Sequence, residues 1–287
     1  MSEYISEKKI EELEKQANEV RQSIVKMLEE AGSGHTAGPL GLADIYTALY
    51  FNLMKLDPKR PDWDERDRLV VSNGHTCPVQ YAAMAHRGYF PVDELMTLRK
   101  LGSRLQGHPE RGHLPGIENT SGPLGSGLGQ AVGMAYALRM DAKKSRVYCV
   151  MSDAEQQEGI LWESMMFAGK HKLNNVTGII DRNNIQIDGM TEDVMPLEPF
   201  RAKWEAFNWH VIEVDGHNIE AFVDAVHEAR AIYEKPTVII AHTIPGKGVK
   251  DIEFDYKWHG IPPKHEQAVA FLKELRTLKG KITSEHE

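Results

Sequence analysis

The sequence predicts an α/β protein in which a doubly wound, mostly parallel sheet carries helices on both faces. One observation leads to this fold class, and a second bears on the number of domains. Short apolar runs alternate with helical segments from residue 147 to residue 241, and this alternation is typical of parallel strands joined by crossover helices. No repeat, low-complexity tract or long linker divides the 287 residues. We therefore expect residues 1–287 to form a single domain, although chain length alone favours two.

The N-terminal part begins with a long amphipathic helix. From Lys8 to Leu28, apolar residues recur at helical spacing with charged residues on the other side, as in a helix that packs on a core. A glycine-containing loop then carries His35, and a second helix is predicted from Leu40 to Leu53. A short apolar strand from Leu69 to Val71 leads into Ser72-Asn73-Gly74-His75. Both histidines are thus expected in loops that follow regular elements.

The C-terminal part contains the alternating strands and helices. A stretch rich in Gly, Pro and His from Gly102 to Gly122 precedes a predicted helix from Leu124 to Met140. The strands that follow are predicted at Val147–Met151, Val176–Ile180, Val211–Val214 and Thr237–Ala241, and the helices at Ile160–Lys172, Arg201–Phe207, Ile219–Tyr233 and Pro263–Leu278. We expect the last helix to close the domain.

Composition narrows the class of protein. With 41% hydrophobic and 26% charged residues, the chain is neither disordered nor fibrous. A formal net charge of −8 argues against a general nucleic-acid or anionic-membrane surface, and no apolar run approaches the roughly 20 residues of a membrane helix. The two cysteines, Cys77 and Cys149, have neither a zinc-site nor a redox-pair spacing. We expect a cytoplasmic protein with no nucleic-acid or membrane partner.

Two polar residues follow neighbouring predicted strands. Asp153 comes directly after the run Val147–Met151 and Ser152, and Asn183 follows Val176–Ile180. A helix between the two strands makes them a βαβ unit, and ligands of open parallel sheets bind where the carboxyl ends of such strands meet. Magnesium prefers oxygen ligands and keeps only one or two protein carboxylates. One Asp, one Asn amide oxygen and the backbone carbonyl of Ile185 would leave room for a diphosphate.

Simpler interpretations of these residues exist. Asp153 alone is explained by helix capping, and Asn183-Asn184 alone by a turn. The glycine cluster at Gly125, Gly127, Gly129 and Gly133 suggests a nicotinamide-binding loop, since Asp153 follows about 20 residues later. However, the spacing is not GxGxxG and no strand precedes the cluster, so the required strand–turn–helix context is missing.

The segment from Ser152 to Gly169, with its continuation to Asp188-Gly189, resembles the thiamine-diphosphate motif of transketolases. The 30-residue spacing from Asp153 to Asn183 fits that motif. Further motifs occur in family order over about nine-tenths of the chain: Gly32-Ser33-Gly34-His35, Ser72-Asn73-Gly74-His75, Gly107-His108-Pro109, Thr120-Ser121-Gly122-Pro123-Leu124-Gly125, Asp215-Gly216-His217 and Trp258-His259-Gly260. The resemblance implies the diphosphate-binding (PP) domain of that fold.

The resemblance implies thiamine diphosphate and a divalent cation, Mg²⁺ or alternatively Ca²⁺ or Mn²⁺, as cofactors. Gly122, Pro123 and Leu124 correspond to the loop that contacts thiamine. The metal and diphosphate would be held by Asp153, Asn183 and the Ile185 carbonyl, with Ala154 beside the diphosphate. The family usually has glycines where this chain has Ser152 and Ala154, so we expect weaker or shifted cofactor binding. Pro245 likewise stands where some relatives carry a cofactor-contacting lysine, and Lys247 is a candidate substitute.

Four histidines correspond to transketolase active-site histidines within their motifs. The resemblance implies that His35, His108 and His259 bind donor-sugar hydroxyls and the developing oxyanion, with His75 and His259 beside the cofactor. His217 is expected to support the fold instead.

Two glutamates follow the metal-binding loop, five residues apart on one helix. Solvated surface charge is the ordinary explanation of Glu158 and Glu163. In the resemblance they correspond to acidic residues at the subunit interface, which we count with the catalytic set.

The resemblance covers the diphosphate-binding part of a transketolase. Thiamine chemistry also needs a glutamate from a separate pyrimidine-binding domain. We expect the pyrimidine-binding and C-terminal domains on a partner chain, in an α₂β₂ heterotetramer. Such an enzyme would transfer a two-carbon ketol unit from a ketose phosphate to an aldose phosphate, as in pentose phosphate metabolism. The alternatives are a split transketolase specialised for a sulfonated or branched sugar, and a non-catalytic assembly subunit.

Overall fold

A computed structural model describes residues 5–277 and contains a five-stranded parallel sheet. The strands of the described residues are β1 (Arg68–Val71), β2 (Val147–Ser152), β3 (Val176–Arg182), β4 (Ile185–Gln186), β5 (Gly189–Met190), β6 (His210–Asp215) and β7 (Thr237–His242). The main sheet has the order β1-β2-β3-β7-β6, and every neighbouring pair in it is parallel. Strands β4 and β5 form a separate antiparallel hairpin. The predicted fold class is confirmed.

Helices cover both faces of the sheet. They are α1 (Glu7–Ala31), α2 (Ala37–Gly41), α3 (Ala43–Ala48), α4 (Cys77–Arg87), α5 (Ser126–Met140), α6 (Gly159–His171), α7 (Thr191–Val194), α8 (Phe200–Ala206), α9 (Ile219–Ala231) and α10 (His265–Thr277). No helix among residues 5–277 has both the length and the apolar character needed to cross a membrane.

The residues of strand β2 alternate between two hydrophobic cores, one on each face of the sheet. Tyr148 and Val150 pack in a core built with α1, α3, α4 and α9, whereas Val147, Cys149 and Met151 pack in a second core with α5, α6 and α8. Successive strand residues point to opposite faces, and all six residues of β2 are buried. A sheet that is covered on both sides therefore reads as a continuous apolar run.

Helix boundaries differ from the predicted ones where packing overrides pattern. The predicted helix from Leu40 to Leu53 is split into α2, α3 and a π turn at Leu49–Leu53. Helix α4 was not predicted, although Pro78 in its first turn is compatible with a helix start. Helix α10 agrees with its prediction over His265–Thr277, and the predicted last residue, Leu278, lies outside the described residues.

A buried polar network joins the first helices to the end of β7. Both terminal guanidinium nitrogens of Arg21 bond to Asp44, at 3.0 and 2.5 Å, and His217 Nδ1 lies 2.8 Å from Asp44 Oδ2. The Ile244 amide donates to His217 Nε2 at 2.7 Å, so the neutral ring donates through Nδ1–H. Burial alone would raise the pKa of Asp44, but Arg21 and His217 lower it to about 2. His217 thus supports the fold, as predicted.

We predict that Asp44→Ala lowers the free energy of unfolding by about 3–5 kcal/mol, because it leaves the buried Arg21 charge unpaired. The exposed pair of Lys143 with Asp64 provides a control, and Asp64→Ala should cost less than about 1 kcal/mol. Urea denaturation monitored by circular dichroism measures both values. An equal decrease in the free energy of unfolding in the two variants would contradict the larger contribution expected of the buried network.

Candidate active site

The register of β2 and β3 brings Asp153 and Asn183 to one edge of the sheet. Ser152 pairs directly with Asp181, and the Asp153 amide continues the ladder by donating to the Asp181 carbonyl at 3.1 Å. Helix α6 connects the two strands as predicted. Both side chains therefore emerge at the carboxyl edge of the sheet, beside a cavity.

Asp153 is fully buried and is held through both carboxylate oxygens. Oδ1 accepts from the Ala154 amide at 2.7 Å, and Oδ2 accepts from the Asn184 amide at 2.8 Å and from Arg182 Nη1 at 3.0 Å. Burial raises the pKa of Asp153 to about 6, although Arg182 and these amides oppose the rise. Oδ1 has a single amide donor, so it retains capacity for a cation.

The side chain of Asn183, directly after β3, is held by two hydrogen bonds to nearby residues. Its Nδ2 donates to Asp181 Oδ2 at 2.8 Å, and its Oδ1 accepts from the Ile185 amide at 2.9 Å. Asn184 has a left-handed φ of 61°, which turns the chain into the β4–β5 hairpin. The ordinary capping and turn roles of Asp153 and Asn183 are thus both present, and each still leaves an oxygen lone pair.

The candidate metal ligands at this edge are oxygen atoms of three kinds of group. Among residues 5–277, no group of three or more His, Cys, Asp or Glu is arranged to hold a metal ion. A cation bound by one carboxylate, one amide oxygen and one backbone carbonyl would be a hard ion such as magnesium, calcium or manganese.

The cavity beside these residues has a volume of about 420 Å³. Most of the predicted site residues line it: His35, His75, His108, Gly122, Leu124, Ala154, Glu158, Asn183, Ile185 and His259. Pro123 is exposed next to Gly122 and Leu124, and Asp153 lies buried next to Ala154. Glu163 is exposed on α6 and does not line the cavity, so its interface role stays a prediction.

Three imidazoles form a triangle in this cavity. The ring centroids of His35 lie 4.9 Å from His75 and 5.1 Å from His259, and those of His75 and His259 are 5.1 Å apart. Burial, followed by the nearby His259, lowers the pKa of His35 to about 4. Burial also lowers the pKa values of His75, His108 and His259. At neutral pH the rings are uncharged, so each offers one donor and one acceptor.

Two residues of this site were not predicted. The buried Glu155 accepts from the Ser152 amide at 3.0 Å and from the Gly125 amide at 3.3 Å, and it thereby ties the two predicted cofactor loops together. Burial raises its pKa to about 7. Arg182 bridges Asp153 to Glu192 and Glu198. Neither residue was singled out from the sequence, because the partners Gly125 of Glu155 and Asp153 of Arg182 are distant from them in the chain.

Known proteins share this sequence pattern and geometry. Residues 13–280 match the family described as "Transketolase, thiamine diphosphate binding domain". The chain is 42% identical to the 6-deoxy-6-sulfo-D-fructose transketolase subunit SqwG of Clostridium sp. (strain MSTE9), over 94% of this chain and 98% of that protein. It is 40% identical to an apulose-4-phosphate transketolase subunit of Phocaeicola vulgatus, over 92% of this chain and 95% of that protein.

Solved transketolases share the architecture. The transketolase of Leishmania mexicana superposes with a TM-score of 0.88 at 35% identity, over 92% of this chain and 41% of that one. The transketolase of Campylobacter jejuni gives a TM-score of 0.86 at 36% identity, over 92% of this chain and 42% of that one. The chain therefore spans about two fifths of the length of these single-chain transketolases.

We predict that the histidine triangle makes the fold sensitive to acid. The folded-state pKa of His35, about 4, lies below its ordinary value of 6.5, so the unfolded chain takes up the proton first as pH falls. The resulting loss of folding stability begins near pH 6.5 and continues as pH falls to the folded-state pKa. His35 should contribute about 2 kcal/mol of lost stability between pH 7 and pH 5. Urea midpoints of wild type and His35→Asn at both values measure it, and equal pH dependence in the two proteins would contradict the prediction.

Proposed function

Because the chain belongs to the transketolase family, as a thiamine-diphosphate-binding N-terminal subunit of the split type, we propose that it works with a partner subunit to transfer a two-carbon ketol unit from a ketose phosphate to an aldose phosphate. The observation that carries this proposal is a single cavity in which Asn183 and the Ile185 segment face three neutral imidazoles. Such a cavity combines a hard-cation site with donors and acceptors for sugar hydroxyls.

The residues present fit thiamine diphosphate and a magnesium ion. His35 Nδ1 and both amide atoms of Asn73 are buried without a hydrogen-bond partner among the described residues, and such groups call for a polar partner. Gly122 has a φ of 154° and no neighbour within 4 Å of a Cβ placed there, so the backbone there is open to a ligand. Asp153, Asn183 and the Ile185 carbonyl would hold Mg²⁺, and Ca²⁺ or Mn²⁺ would fit the same oxygens.

The histidines would act on the sugar. When bound, thiamine diphosphate supplies a nucleophilic carbon and an electron sink. The neutral His35 and His259 would donate to the carbonyl oxygen on which negative charge develops and accept from sugar hydroxyls. His75, the third histidine of the triangle, would orient the cofactor. His108 stands at the cavity rim, where it would bind a hydroxyl of the donor.

A partner subunit would complete the site. The glutamate that activates the cofactor is expected from a pyrimidine-binding domain on that partner, and an α₂β₂ assembly would place two cofactors at subunit interfaces. Helix α6 supports an interface because Ile160, Met166 and Phe167 are exposed by 47%, 60% and 42%, with Glu158 at its N-cap and Glu163 within it. Contiguous exposed apolar groups rimmed by polar residues mark contact surfaces.

Two alternatives differ in their support. The first alternative is a split transketolase specialised for a sulfonated or branched sugar. It is favoured by two relatives, which are named as subunits of a 6-deoxy-6-sulfo-D-fructose transketolase and of an apulose-4-phosphate transketolase. A non-catalytic assembly role had only the Ser152 and Ala154 departures in its favour. Ser152 bonds to Glu155, and the Ala154 amide still bonds to Asp153, so the site geometry survives both departures. We also propose a cytoplasmic location, since both cysteines are free and buried.

The proposed function is tested by recovering the tagged chain from its native cells with magnesium and thiamine diphosphate present. We expect a stoichiometric second chain in the complex and ketol transfer that depends on both cofactors. The donors assayed should include ketose phosphates, sulfonated ketoses and branched sugars. A purified complex that transfers a ketol unit from none of them would contradict the proposal.

We predict that Asp153→Ala weakens Mn²⁺ binding, measured by electron paramagnetic resonance, at least about 100-fold, because even supporting residues of metal sites contribute 10- to 100-fold. Ketol transfer should fall in parallel. Asp193→Ala, an exposed carboxylate on α7, is the matched control and should bind Mn²⁺ like the wild type. Full activity of Asp153→Ala in an intact complex would favour the assembly role.

We predict that Ala154→Gly tightens thiamine diphosphate binding about fivefold, because it removes a methyl group that crowds the cofactor cavity. Isothermal titration of the magnesium-loaded complex measures the change. Ser152→Gly is the comparison: it also introduces the usual family residue, but it removes a bond to Glu155, so binding should not tighten. The reverse order of the two effects would show that Ala154 is not the cause of crowding.

A further inference from the structure

A second cavity of about 580 Å³ opens beside the cofactor cavity. His108 lines both of them, so the two spaces share a wall. Arg99, Ser33, Ser121 and Glu110 also line the second cavity. None of these four has a role in the proposed cofactor site.

Arg99 is held at this cavity by its backbone and by its neighbours. Its φ of 60° is left-handed, which is uncommon for a residue with a side chain. A Cβ on Gly107 would lie 2.7 Å from Arg99 Nε, so glycine at position 107 leaves the space that the guanidinium occupies. Nη1 lies 3.4 Å from Ser33 Oγ. The guanidinium is thereby held in the cavity that Ser33 and His108 also line.

The charge of Arg99 has no acidic partner within ion-pair distance among residues 5–277. It nevertheless reaches the active site, since it adds to burial in lowering the pKa of His108. Arg104 and Arg182, by contrast, are paired with Glu94 and Asp153. A lone guanidinium at a cavity mouth is suited to an external anion.

Ser121 provides an independent observation. The residue is only 7% exposed, it lines the same cavity, and its buried Oγ has no hydrogen-bond partner among the described residues. Glu110 is the acidic residue of this lining, and its Oε1 lies 3.4 Å from His113 Nε2. Arg99 and Ser121 therefore line one space, which also carries His108.

We infer that Arg99, with Ser121, binds the anionic end group of the sugar substrate, a phosphate or a sulfonate, while the carbonyl end passes His108 to the cofactor cavity. The inference rests on the proposed function, and it assigns to this chain a share of substrate selection in addition to any anchors on the partner. A guanidinium fork matches the tetrahedral oxygens of either group.

The test uses the complex recovered with its partner and a panel of ketose donors. Each ketose is assayed with a phosphate, with a sulfonate and with a neutral hydroxyl at its far end. In Arg99→Gln, the ratio of kcat/KM for the preferred anionic ketose over its neutral counterpart should fall about 10- to 100-fold, mainly through KM. Arg99→Lys should restore part of the ratio. Whichever anion shows the larger fall identifies the end group.

Lys100→Gln is the matched control. Lys100 is the adjacent cation in sequence, but it pairs with Glu30 and does not line the cavity, so this variant should keep the wild-type ratio. An unchanged ratio in Arg99→Gln, or an equal fall in Lys100→Gln, would overturn the inference. If no ketose is a donor, the proposed function fails, and titration with inorganic phosphate decides the cavity separately: weaker binding in Arg99→Gln supports anion recognition, and equal binding contradicts it.

Discussion

The parallel register of β2 and β3 is the constraint on which the rest of the site depends. Because Ser152 pairs with Asp181, the residues that follow the two strands leave the sheet side by side, and Asp153 and Asn183 cannot be separated without breaking the ladder. Both faces of the sheet are buried, so a one-residue slip would exchange the two cores. The core packing therefore fixes the relative positions of the candidate metal ligands.

A group of buried charges surrounds this edge and has a common physical origin. Burial raises the pKa values of Asp153 to about 6 and of Asp181 and Glu155 to about 7, and Arg182 offsets part of the negative charge. Such carboxylates are costly in isolation, and a divalent cation would favour their ionised forms. The neutral histidines on the other side of the cavity avoid adding positive charge beside that cation.

The sequence was informative where a motif coincides with a strand or helix end. Asp153, Asn183 and the four loop histidines were all expected near one another, and the structure places them around one cavity apart from the buried Asp153. Side-chain partners were not predictable, because Arg182, Glu155 and Arg99 depend on which loops meet in space. Helix α4 was missed although Pro78 stands in its first turn, where proline is compatible with a helix start. The sugar specificity was also left open.

The most direct test of the account is a crystal structure of the complex grown with Mn²⁺ and thiamine diphosphate, in which anomalous scattering locates the metal. The account predicts one peak at about 2.1–2.3 Å from Asp153 Oδ1, Asn183 Oδ1 and the Ile185 carbonyl oxygen. The remaining ligands should be diphosphate oxygens and water. A metal bound by other residues, with Asp153 still engaged by Arg182, Thr191 and backbone amides, would contradict the assignment of this strand edge as the cofactor site.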